Sequence, residues 1–126
     1  MANHKHLIVK GEIDHAPLSD EIEYVEEWMK VFAKSQKMEI AAGPIARYVL
    51  DKGNRGMTAC CLIKTSHIAF HIWDEKDPPL MQFDFYTCGK MNEESVLDHI
   101  DRGFGLKEYE RMMLNRGGKW FSLENK

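Results

Sequence analysis

The run Met57-Thr-Ala-Cys-Cys-Leu-Ile-Lys-Thr-Ser-His-Ile-Ala-Phe-His71-Ile-Trp-Asp-Glu-Lys-Asp-Pro-Pro-Leu80-Met-Gln-Phe-Asp-Phe-Tyr-Thr87 decides the fold. It contains three strand-like segments joined by short connections. Met57–Thr65 is largely apolar and reads as a buried central strand. Side chains alternate along a strand, so in His67–Trp73 the residues Ile68, Phe70 and Ile72 share one face. His67, Ala69, His71 and Trp73 share the other. Leu80–Thr87 repeats the pattern, with Met81, Phe83 and Phe85 opposite Gln82, Asp84 and Tyr86. Asp74–Pro79, with its paired prolines, is a loop.

Upstream, His6–Ile13 is short and rich in branched residues, a further strand. Pro17-Leu-Ser-Asp-Glu predicts a helix start with Ser19 as N-cap. Ile22, Val25, Met29, Phe32 and Ala33 then recur at helical spacing as far as Lys37, about five turns. Met38–Leu50 is extended and interrupted at Gly43-Pro44, and Asp51–Gly56 is a turn. Downstream, a shorter helix is predicted over Asn92–Asp101, ending near Gly103, and a last strand over Glu108–Asn115, broken by Arg116-Gly-Gly118. Strands in hairpin succession with two interleaved helices give an α+β fold. The expected architecture is a two-layer sandwich, an antiparallel sheet with two main helices on one face.

The 126 residues predict a single domain, 1–126. No apolar stretch approaches the ~18 residues of a membrane-spanning helix, and Met1–Val9 lacks the long apolar run of a signal peptide. Neither a membrane partner nor secretion is expected. With 17 basic against 20 acidic side chains and a pI near 6.1, the chain has no basic stripe for nucleic acid. Glu12–Glu27 carries seven carboxylates and no Lys or Arg, a solvated face overlapping a helix start. The three cysteines are an odd count with two adjacent, which predicts no disulfide framework and a reducing cytoplasm.

The face bearing His67, His71 and Trp73 needs a cover. A second packing layer or a dimer contact with hydrogen-bonded histidines would supply it, and so would a functional site. Zinc is disfavoured at His67-x-x-x-His71: on a strand, residues four apart stand ~13 Å from each other, too far for one ion. His4-x-His6 offers only a pair. Cys88, at a strand end before Gly89, is either an ordinary half-buried thiol or a functional one. With His71 as base it could form a Cys–His nucleophile, but no third group orients the pair.

Thr65-Ser-His-Ile-Ala-Phe-His71-Ile-Trp-Asp-Glu75 and Phe83-Asp-Phe-Tyr-Thr-Cys-Gly89, taken together, resemble the small bacterial and archaeal type of S-adenosylmethionine decarboxylase. Its members carry a Ser-His-x-x-x-His-Thr-Trp-Pro-Glu-like segment, then a strand ending Asp-x-Phe-Thr-Cys-Gly. The likeness runs from the opening strand to the Arg-Gly after the last one. It implies a proenzyme that cuts itself between Thr65 and Ser66, giving a β chain 1–65 and an α chain 66–126. Ser66 would become a pyruvoyl group, the cofactor. His71 would assist processing, with the Thr58 hydroxyl standing where the family has a serine, and Cys88 would protonate the product carbon. Glu75 would meet the substrate ribose, and Tyr48 would stack on adenine. The implied reaction decarboxylates S-adenosylmethionine for spermidine and polyamine synthesis, in a cytoplasmic homodimer whose sites lie between protomers. The alternatives are a relative acting on ornithine or arginine, or an unprocessed paralogue that binds without catalysis.

This chain departs from the family pattern at Thr65, where the family has Glu, and at Ile72 and Asp74, where it has Thr and Pro. Ser66 and His71 are five residues apart, so a straight strand sends them to opposite faces. A bend or bulge between them is therefore required.

Overall fold

A computed structural model describes residues 4–124. Met1–Asn3, part of the stretch read above as lacking a signal sequence, lie outside the described residues. The chain runs β1 (Lys5–Ile13), α1 (Ile22–Ser35), β2 (Ile40–Val49), β3 (Gly56–Ile63), β4 (Ser66–Trp73), β5 (Leu80–Thr87), α2 (Glu93–Phe104), β6 (Leu106–Asn115) and β7 (Ser122–Leu123). The strands form one antiparallel sheet in the order β2-β3-β4-β5-β1-β6-β7. The α+β sandwich follows as expected, with both helices on one face. Two features were not legible: β1 inserts between β5 and β6, and the short β7 extends the edge.

The alternation in β4 and β5 sorts the two faces. Ile68, Phe70, Ile72, Met81, Phe83 and Phe85 are all buried, joining Leu7 and Val9 of β1 beneath the helices. Val25, Met29 and Phe32 of α1 and Val96, Ile100 and Phe104 of α2 close that layer from above. Trp28 is its hub: its ring stacks on Phe32 at 5.2 Å and meets Phe104 at 5.1 Å and Phe70 at 5.8 Å. Gly103 lies against that indole, and a Cβ there would fall 2.3 Å from Nε1. This contact explains why α2 runs through Gly103 and ends at Gly105, whose φ of 74° forms a left-handed cap.

Several boundaries shift. Helix α1 begins at Ile22, with Glu21 rather than Ser19 at the N-cap, and spans 14 residues, about four turns. Glu21 instead accepts from the Leu18 backbone N–H at 2.7 Å, which holds the entry turn. Lys37 lies past the helix with φ 60°. Strand β6 starts two residues early, at Leu106. Strand β3 is not buried on both sides, as its apolar run implied: Cys61 is buried but Cys60 and Leu62 are exposed, because no layer covers that side.

Candidate functional site

The face turned away from the helices collects Thr58, Cys60 and Leu62 from β3, His67, Ala69, His71 and Trp73 from β4, and Asp84 and Tyr86 from β5. His6 and Ile8 of β1 complete it. The chain's chemistry falls into three groups, one at the β3–β4 hairpin end and two on this bare face.

The first group lies at the β3–β4 turn. Thr65 is in the turn and Ser66 opens β4, paired with Ile63. Thr87 Oγ1 lies 3.3 Å from Thr65 Oγ1 and accepts from the Gly89 backbone N–H at 2.9 Å, which fixes the chain leaving β5. Cys88 is thereby placed with its thiol donating to the Thr65 carbonyl oxygen at 3.5 Å. Its Sγ also lies 3.2 Å from His4 Nδ1, which is 3.1 Å from the Tyr86 hydroxyl.

The second group crosses the middle strands. His6 and His67 flank Tyr86 in register, and both direct Nε2 at Asp84 Oδ1, at 2.5 and 3.2 Å. The three donor atoms lie within 4.8 Å of one another, close enough to suit a metal ion. The hydrogen bonds decide how they are used. Arg116 Nη1 can only donate, and it faces His6 Nδ1 at 3.2 Å, so the His6 proton sits on Nε2 and points at Asp84. An ion on Nε2 would move that proton to Nδ1, against the guanidinium. The arrangement fits a relay of hydrogen bonds better than a metal centre. Arg116 also lies over the Tyr86 ring, 3.9 Å from its centroid.

The third group is His71, Thr58 and Trp73. Thr58 and His71 are direct cross-strand partners. The His71 and Trp73 rings meet edge to face at 4.3 Å, and Asn54 serves both: its carbonyl accepts from His71 Nε2 at 3.2 Å and its side-chain Oδ1 from Trp73 Nε1 at 3.1 Å. Burial holds His71 below the usual imidazole range, only partly offset by the Asn54 hydrogen bond and the charge of Asp74. His71 is therefore neutral at pH 7, with its proton on Nε2 and its lone pair on Nδ1. A groove of about 460 Å³ opens here between Arg47, Thr58, Cys60, His71, Trp73 and Asp84.

The model of the S-adenosylmethionine decarboxylase family matches residues 5–117. The chain belongs to that family. It is 33% identical over 86 residues to the S-adenosylmethionine decarboxylase proenzymes of Thermococcus kodakarensis and Pyrococcus furiosus, a segment covering 68% of this chain. That segment spans a little over half of those relatives, 56% and 58% of their lengths. The fold matches the crystal structure of the adenosylmethionine decarboxylase from Aquifex aeolicus with a TM-score of 0.68 at 23% identity, covering 92% of each chain.

Within this decarboxylase-family fold, the expected site residues do not all converge. Thr65, Ser66 and Cys88 come together; His71 stands five residues farther along β4, roughly 16 Å away at ~3.3 Å per residue, with Thr58 opposite it on β3. The expected bend is absent: β4 pairs with β3 without a register shift from Ser66 to His71, so the two side chains do leave on opposite faces. Tyr48 lies apart from both groups. It pairs with Met57 of the core, packs on the helix-covered side, and donates its hydroxyl to Asp74 Oδ2 at 2.5 Å. That hydrogen bond, with burial and the charge of Asp74, raises the Tyr48 pKa. Burial pushes Asp74 upward, but the bonds from Tyr48 and Arg55 and the Arg55 charge outweigh it, and Asp74 stays ionised. Glu75 Oε1 accepts from the Gly53 backbone N–H at 2.9 Å, tying the loop after β4 to the β2–β3 turn.

His4, His6, Asp84 and Arg116 are the functional candidates that sequence reading passed over. Asp84 and Tyr86 did alternate onto the histidine side of β5. No sequence signal placed β1 beside β5, and that neighbour relation supplies both His4 and His6.

Proposed function

We propose that the chain is a self-cleaving, pyruvoyl-dependent S-adenosylmethionine decarboxylase, 1–126 acting as one domain that is cut between Thr65 and Ser66. The observation that carries this reading is the Cys88 thiol donating to the Thr65 carbonyl oxygen at 3.5 Å. The thiol assigned to protonate product lies on the peptide bond assigned to break.

Processing follows from that geometry. Ser66 Oγ attacks the Thr65 carbonyl carbon, the Cys88 S–H stabilises the charge growing on oxygen, and the C–N bond opens to an ester. A base removes the Ser66 α-proton, and β-elimination frees the carboxylate of Thr65. Water then hydrolyses the resulting dehydroalanine, which releases its nitrogen as ammonia and leaves a pyruvoyl group at the start of residues 66–126. Thr65 in place of the family's Glu leaves these steps intact, because the attack uses the backbone carbonyl. The pyruvoyl group supplies a carbonyl that holds the substrate amine and accepts electrons as CO₂ departs. Cys88, at the same position, delivers the proton that replaces the carboxylate.

The neutral His71, with its Nδ1 lone pair, and Thr58 are the remaining processing groups, and they stand too far from Ser66 of their own chain. Ser66 sits at the hairpin end of β4, on the margin of the sheet, so a two-fold partner that laps its bare face over that edge brings His71 and Thr58 of one copy to the Thr65–Ser66 bond and Cys88 of the other. Ile8, Ile45, Leu62 and Met112, all exposed on this face or its margin, supply apolar surface for that contact. The homodimer thus completes two sites and covers the bare sheet. Glu75 lies beyond Trp73 on the His71 side, where it would reach the ribose of substrate held between the copies. The cytoplasm, where polyamine precursors are made, is the corresponding location.

Intact mass spectrometry of the purified chain tests the reading. The expected masses are those of 1–65 and of 66–126 with a pyruvoyl start. A single 126-residue mass after prolonged incubation would contradict it.

A further inference from the structure

His4 immediately precedes β1, and its ring reaches the Cys88 thiol only because β1 lies beside β5. Its Nδ1 is 3.2 Å from Cys88 Sγ and 3.1 Å from the Tyr86 hydroxyl. The Arg116 backbone N–H donates to the His4 carbonyl at 2.7 Å and holds the segment down. The titratable and charged groups facing the ring are therefore Tyr86 from β5, Cys88 beyond it, and Arg116 beyond β6, whose guanidinium rests on the Tyr86 ring.

The thiol has one proton and two acceptors, His4 Nδ1 and the Thr65 carbonyl at 3.5 Å. Nδ1 has a single in-plane position, either a lone pair or an N–H. A neutral Nδ1 draws the thiol proton toward itself. A protonated Nδ1 donates to sulfur and leaves the S–H free for the carbonyl. The imidazole thus sets where the proton of Cys88 points.

We propose that His4 is the positioning residue of Cys88, taking up and returning the thiol proton. This rests on the decarboxylase reading for its use in turnover, but not for its existence. During turnover the Cys88 S–H bond breaks as a C–H bond forms on the carbon that lost CO₂. The thiolate then takes the proton from His4 Nδ1, and His4 regains one from solvent. Each cycle consumes one solvent proton, as replacing a carboxylate by hydrogen requires. The Tyr86 hydroxyl meets the same Nδ1 and shares its single position with the thiol.

The test uses the full-length Ser66→Ala chain, which stays uncut, so that neither cleavage nor catalysis enters. Alkylation by iodoacetamide is followed at Cys88 by peptide mass spectrometry from about pH 5 to 9, in parallel on chains with and without His4. With His4 present, Cys88 should react roughly tenfold faster near pH 6.5 than in the His4→Gln chain, because the imidazole takes the thiol proton as sulfur attacks. His4→Gln keeps an acceptor but cannot carry a proton. Tyr86→Phe leaves Nδ1 to the thiol alone and should raise the Cys88 rate in the chain that has His4. An identical Cys88 profile in the His4→Gln chain would overturn the proposal. If the wild-type chain never cuts itself yet the His4 effect appears, the decarboxylase reading fails and the pair stands.

Discussion

The two faces of one sheet carry opposite kinds of information. Beneath the helices, residues are chosen for shape: Phe32, Phe83, Phe85 and Phe104 are fully buried and ring-packed around Trp28. On the bare face, residues are chosen for protons: two histidines share Asp84, a third holds Cys88, and a fourth stands neutral beside Trp73. The same alternation of side chains produces both, so every strand residue belongs to one region or the other. The helix-covered face is complete in a single copy. The bare face, on the reading proposed above, is completed by a second copy that supplies the distance β4 does not bend across.

Substitutions should separate the two faces sharply. Ser66→Ala is expected to abolish cleavage and activity together while leaving the melting temperature near wild type, because Ser66 is half-exposed at a hairpin end. A stable, cleaved Ser66→Ala chain would break the assignment of the cut. Phe32→Ala should do the reverse, costing about 3–5 kcal/mol in denaturant titration with no specific effect on chemistry in the fraction that folds. Cys88→Ser should still self-cleave but turn over about 10²-fold more slowly, since a hydroxyl is a poorer acid than a thiol. It should also misplace the proton and inactivate progressively by transamination, visible as an alanyl N-terminus on the 66–126 fragment.

The pH dependence sharpens the comparison further. If processing needs His71 neutral, its rate falls where His71 gains a proton. Burial lowers that point beneath the ordinary imidazole value of about 6.5, so more acid is required. Time courses of newly made chain should show the half-maximal cleavage rate below pH 6.5. A half-maximal rate at or above 6.5 would remove His71 from the step. The smallest effect belongs to Glu75→Gln, which preserves an acceptor for Gly53. A several-fold rise in KM for S-adenosylmethionine at nearly constant kcat is expected, roughly 1 kcal/mol. An unchanged KM would move the ribose contact elsewhere and reopen ornithine or arginine as substrate.

The fold was legible where local chemistry specified it. Strict alternation in His67–Trp73 and Leu80–Thr87 assigned each residue to its correct face, and the three-four spacing of Val25, Met29 and Phe32 located the helix layer. What failed was nonlocal. Placement of β1 between β5 and β6 arises from packing of the whole sheet, so the partners of His4 and His6 had no local signature. The side of the sheet that Tyr48 takes had no local signature either, because β2 shifts register on either side of Ala42, near the Gly43-Pro44 break, which resets which side chains face the core. The bend expected between Ser66 and His71 is absent because β4 pairs with β3 in unbroken register over those residues.

Mixed-chain complementation tests that sharing most directly. Ser66→Ala and His71→Ala chains, each with a different affinity tag, are produced alone and together, and their masses are read after tandem purification. Neither should cut itself when made alone. In the mixed dimer the His71→Ala chain should be cleaved between Thr65 and Ser66, using His71 of its partner, while the Ser66→Ala chain stays whole. Mixed dimers that form but contain only intact chains, or a His71→Ala chain that cuts itself fully alone, would contradict the account.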